Sequence, residues 1–100
     1  MIMYEYNNAS WESCVGWIDD LRVVPYCQFT MEIENKNVWC HLEQVLTDWH
    51  IHLIELGESV RLSFPLDIKG NVDKLSGILD EKDAVDLAYA IRSVYEEMII

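Results

Sequence analysis

Basic residues are scarce in this sequence: seven Lys and Arg stand against 18 Asp and Glu, a formal net charge of −11. Direct binding to nucleic acid requires cations that displace counterions from phosphates, so this composition argues against that class of function. An anionic membrane surface is disfavoured for the same reason. Gly and Pro are also few, at 4 and 2, which excludes long flexible linkers and a glycine-rich phosphate loop. No apolar run approaches the ~20 residues that span a bilayer. Cysteine is limited to Cys14, Cys27 and Cys40, an odd number without a C-x-x-C pair. The opening segment MIMYEYNN has neither a basic n-region nor an apolar core, so no secretory leader is expected. Reduced thiols and a cytoplasmic location follow as expectations.

What is present is apolar surface for one core. Half of the 100 residues are hydrophobic and 25% are charged, the composition of one globular domain over 1–100. Up to Phe64-Pro65 apolar and polar residues tend to alternate. In Tyr26 to Glu34 the residues Cys27, Phe29, Met31 and Ile33 fall on one face, and Gln28, Thr30, Glu32 and Glu34 on the other. Asn35-Lys36-Asn37 reads as the following turn. Val38 to Leu46, Trp49 to Leu56 and Val60 to Phe64 read as further strands, with Gly57-Glu58-Ser59 between the last two. Upstream, Trp11 to Val24 is β-rich and ends at Pro25, and Met1 to Tyr6 offers an edge strand. Meander order would place the evenly spaced cysteines on neighbouring strands.

Beyond Pro65 the period becomes helical. Asn71 is a candidate cap for a short helix to Leu79, and Asp80 caps a long one. In the latter, Ala84, Val85, Leu87, Ala88, Ile91, Val94, Tyr95 and Met98 form one stripe. The expected fold is α+β: an antiparallel meander of about five strands (roughly 11–64) against helices at roughly 71–79 and 81–98.

Motifs for chemistry are weak. His50 and His52 share a strand face, and His41 lies on the strand before. A hairpin turning at Thr47-Asp48 would set His41 opposite Ile54, away from that pair. Cys40 points opposite to His41, so a zinc set is not expected and the histidines read as solvent-facing. Asp67, Asn71 and Asp73 around Gly70 lack calcium-loop spacing, because Lys69 occupies the third position. Buried cysteines and carboxylates on an open sheet face supply no activated nucleophile or tuned acid–base pair. No catalytic residue, metal or cofactor is expected, and the protein reads as a non-enzyme.

Acid and aromatics remain. Glu32 and Glu34 stand one strand repeat apart, about 6.8 Å, and Glu43 and Glu55 extend the same face. Trp39 falls on that wet face and is a candidate interface anchor. The start of the long helix, Asp80, Glu81, Asp83 and Asp86, is a second acidic surface. The segments Phe64 to Leu79 (FPLDIKGNVDKLSGIL) and Lys82 to Arg92 (KDAVDLAYAIR) resemble part of a group of small acidic proteins of phages and conjugative elements. As a class, such proteins include anti-CRISPR inhibitors, which occupy basic grooves of Cas effectors. Immunity proteins, which cap nuclease toxins, are similar in composition. The resemblance implies no activity and no site residues.

The expected function is therefore non-enzymatic inhibition. An acidic sheet face would cover a basic site on a nucleic-acid-binding effector or nuclease, in the manner of an anti-CRISPR protein. The alternatives are an immunity protein against a nuclease toxin and a structural or regulatory homodimeric module. Either a monomer or a homodimer is compatible with the sequence.

Overall fold

The computed structural model describes the backbone of residues 2–6, 9–19 and 22–98 and the side chains of residues 28–97. Six strands run in chain order: β1 (Ile2–Tyr6), β2 (Ala9–Asp19), β3 (Arg22–Ile33), β4 (Lys36–Val45), β5 (Asp48–Leu53) and β6 (Glu58–Leu62). Two helices follow, α1 (Ile68–Leu75) and α2 (Glu81–Met98). The strands form one antiparallel sheet in the order β1-β2-β3-β4-β5-β6, a meander in which each strand pairs with the one before it. The α+β architecture is the expected one, with Ile2–Tyr6 as an added edge strand. Cys14, Cys27 and Cys40 lie on β2, β3 and β4 in turn.

The alternation read from Tyr26 to Glu34 decides which face is covered. Phe29, Met31 and Ile33 are buried, while Gln28 and Glu32 are exposed. Val38, Cys40 and Leu42 of β4 and Ile51 and Leu53 of β5 continue the inner face. The helices cover it, α2 against β2 and β3, and α1 beside β6 and α2. Ala84, Leu87, Ala88, Ile91 and Val94 are buried, as the apolar stripe of α2 requires. Burying each large side chain of this set stabilises the fold by about 1.5–3 kcal/mol. Trp49 packs edge-on against Tyr95, with ring centroids 5.2 Å apart, and so joins the outer end of β5 to α2.

Several boundaries differ from the sequence reading. β2 ends at Asp19, and β3 starts at Arg22 and runs through Pro25. The register shifts between Cys14 and Trp17: Cys14 pairs with Tyr26 and Trp17 with Val24, so Val15 and Gly16 face Pro25 alone. A β-bulge tolerates proline because its missing N–H leaves no gap in the ladder. The expectation that Trp11 and Trp17 share a face lies outside the described side chains.

The hairpin turns also come earlier than expected. The β3–β4 loop is Glu34-Asn35, with φ of 54° and 63°, instead of Asn35 to Asn37. The β4–β5 loop is Leu46-Thr47, not Thr47-Asp48, with Leu46 at φ 58°. The β5–β6 turn covers residues 54–57 and closes on Gly57 at φ 64°. Two-residue loops with positive φ match the twist of the paired strands better than ordinary turns do.

Asn71 is not a cap. Asp67 caps α1, its Oδ1 accepting the Gly70 N–H at 3.0 Å. Gly70 fits closely there: a Cβ would stand 2.9 Å from Asp67 Cγ and 3.1 Å from Ser63 Oγ. Asn71 is fully buried, its Oδ1 accepting the Ser63 N–H at 3.0 Å and its Nδ2 donating to the Phe64 carbonyl at 2.8 Å. One amide therefore fastens the segment after β6 to α1. At α2, Asp80 Oδ1 accepts the Asp83 N–H at 2.9 Å, as expected of a cap. Among the described residues, no helix is long and apolar enough to cross a membrane.

Candidate functional site

Among the described residues, no helix lies on the outer face of the sheet, and its side chains are set by register. One row runs Gln28, His41, His52, Ser59 across β3 to β6. The next runs Glu43, His50, Arg61 across β4 to β6. All three histidines of the chain thus meet on one face. The expected separation of His41 from the pair is overturned, because a turn at Leu46-Thr47 brings His41 opposite His52 rather than Ile54.

Glu43 organises this cluster. His52 Nε2 is 2.9 Å from Glu43 Oε1, and His41 Nε2 is 3.5 Å from Glu43 Oε2. A carboxylate only accepts, so each Nε2 carries the proton and each Nδ1 is an acceptor. Gln28 Nε2 accordingly donates to His41 Nδ1 at 3.1 Å, and the Ser59 hydroxyl donates to His52 Nδ1 at 2.6 Å. The rings of His41 and His52 are 5.8 Å apart, and those of His50 and His52 stack at 6.3 Å. Burial lowers the pKa of His41, the proximity of His52 lowers it further, and Glu43 opposes both. On the opposite face, burial together with the charge of Glu55 raises the Cys40 thiol far above its ordinary range. That sulfur packs in the core, fully buried.

Ser59, His52 and Glu43 stand in the order hydroxyl, imidazole, carboxylate used in acyl transfer. Ser59 does not line the depression described on this face. Two contacts draw His41 and His52 toward the Glu43 carboxylate. Among the described residues, no group of three or more His, Cys, Asp or Glu is placed to hold a metal.

That depression, about 270 Å³, lies one row along and is lined by Gln28, Trp39, His41 and Ile54, together with Cys40, which is otherwise fully buried in the core. Trp39 is 46% exposed and Ile54 59% exposed. The Ile54 N–H donates to the Trp39 carbonyl at 3.0 Å, and the Trp39 N–H donates to Glu55 Oε1 at 2.7 Å. The turn after β5 is therefore pinned against Trp39, with the Glu55 carboxylate at its edge.

The sequence-predicted acids do not form one row. Glu32 is exposed on the outer face of β3. Glu34 is a turn residue with left-handed backbone, so it leaves the strand repeat; its N–H donates to Asp83 Oδ2 at 3.3 Å. Glu43 faces outward but is engaged by two histidines. Glu55 belongs to the β5–β6 turn and sits at Trp39. On the helix, Asp80 and Glu81 are exposed, Asp86 is half-buried against Lys82, and Asp83 is buried. The helix start is thus a weaker acidic surface than expected, because Asp83 ties the β3–β4 hairpin to α2. Sequence reasoning missed Gln28, Ile54 and the His41–His52 contact. The position of the β4–β5 loop sets the His41–His52 pairing, and the β3–β4 loop sets Gln28 opposite His41.

A family profile matches residues 2–98. The chain belongs to DUF6618, a family of unknown function. No curated protein and no solved structure matches it.

Proposed function

We propose that this DUF6618 protein is a non-catalytic binding protein that applies the outer face of its sheet to a basic site on a partner protein. The observation that carries the reading is the pairing of Trp39 and Ile54, two large apolar side chains left open at the mouth of a depression on a chain of charge −11. Burial of such anchors holds a complex together, while the surrounding negative field speeds encounter with a cationic surface. Inhibition of a nucleic-acid-binding effector or nuclease, as in anti-CRISPR or immunity proteins, is the form of this activity that the charge supports. Glu32 and Glu55 supply rim charge, and Glu43 acts indirectly by ordering the histidines.

Affinity capture from the native host with the full chain provides the test. A basic protein should be retained, released by salt, and lost with Trp39→Ala while the circular dichroism spectrum is unchanged. Glu32→Lys should slow association about tenfold or less, with a smaller effect at high salt. A partner retained equally by Trp39→Ala would remove the outer face from consideration.

A further inference from the structure

We propose that the depression beside Trp39 is a seat for a single arginine side chain of the partner. This inference rests on the binding reading above and specifies its chemistry. The cavity of about 270 Å³ falls below the ~300–1,000 Å³ of small-molecule sites, a size suited to one side chain. Its walls are of two kinds. Trp39 and Ile54 offer aromatic and aliphatic surface, His41 and Gln28 polar edges, and Glu55, outside the lining itself, holds a carboxylate on the backbone N–H of Trp39. Gln28, whose Nε2 is turned to His41, keeps its carbonyl oxygen as an acceptor at the lip.

An apolar wall beside a carboxylate suits a side chain with an apolar stem and a cationic head. Leucine would fill the apolar walls but make no use of the carboxylate beside Trp39. Between the two long cations, guanidinium is the better match. It is planar and weakly hydrated, stacks on an indole face, and meets a carboxylate through two parallel N–H groups. The adjacent imidazole of His41 has its pKa lowered by burial, so it carries less opposing charge than an ordinary histidine would. The chain's excess of 18 acids over seven bases favours an occupant of this sign.

The test is an NMR titration of the full chain near pH 7 with acetyl-Gly-Xaa-Gly-amide, where Xaa is arginine, citrulline or leucine. The readout is the Trp39 indole N–H signal, assigned by its absence in Trp39→Phe. Arginine should shift it saturably, with a dissociation constant of roughly millimolar order. Citrulline, the neutral isostere, should bind about five- to tenfold more weakly. Glu55→Gln, which keeps an acceptor for the Trp39 N–H, should weaken arginine by a similar factor and leave citrulline unchanged. Equal shifts from arginine and citrulline, or tighter binding of leucine, would make the seat an apolar one and overturn the assignment. No shift with any peptide would overturn the seat itself. Those failures stand apart from failure of the binding reading, which is judged by Trp39→Ala against the intact partner.

Discussion

Asn71 shows how one residue can carry a connection. Its amide satisfies both a donor at Ser63 and an acceptor at Phe64 from inside a helix, in full burial. Asn71→Leu keeps the volume and removes the partner of both part-buried backbone groups. Each unsatisfied group costs about 1–3 kcal/mol, so a loss of about 2–4 kcal/mol is expected in urea unfolding. A loss below about 1 kcal/mol would show that water replaces the amide. Leu46 is the opposite case. It is 81% exposed and sits at φ 58°, where a side chain gains no burial and a non-glycine backbone is disfavoured. Leu46→Gly should stabilise the fold by about 0.5–1.5 kcal/mol. A decrease instead would mean that the leucine makes a contact that the fold depends on.

Among the elements, β4 and β5 matter most, because their register builds the outer face. Moving a two-residue hairpin loop one position along the chain changes every pairing by two residues. Side chains keep their faces in such a shift but change partners. At Leu46-Thr47 the loop puts His41 against His52 and leaves Glu43 within reach of both. Inserting one glycine into that loop would relax this register. The expected result is loss of the slowed exchange of the two His Nε2–H protons in NMR, with the helical signal of circular dichroism kept. Protons that stay protected would show that side-chain packing, not loop length, holds the strands in place.

For the whole molecule, the histidine cluster gives folding a pH dependence. His41 faces Glu43 and His52, and its folded pKa lies below the ordinary 6.5. The unfolded chain therefore takes up this proton at higher pH than the folded one. The contribution is fully present above about pH 6.5 and is lost as the pH falls below that value. Urea midpoints should decline between about pH 7 and pH 5.5, and less steeply in His41→Gln. Parallel declines in the two proteins would assign the effect to other groups.

Local pattern alone determined the α+β class, the buried face of β3 and β4, the extent of α2 and the Asp80 cap. Each depends on periodicity or on neighbours within a few residues, which the chain displays directly. The outer site was legible only in part. Trp39 and Glu32 could be placed outward by alternation, since that property needs one strand. The His41–His52–Glu43 contact, the departure of Glu34 from its strand and the burial of Asp83 needed tertiary structure. All three depend on turn position and on α2 meeting the β3–β4 hairpin. A one-residue difference in a turn is nearly invisible to composition, yet it decides which side chains touch across the sheet.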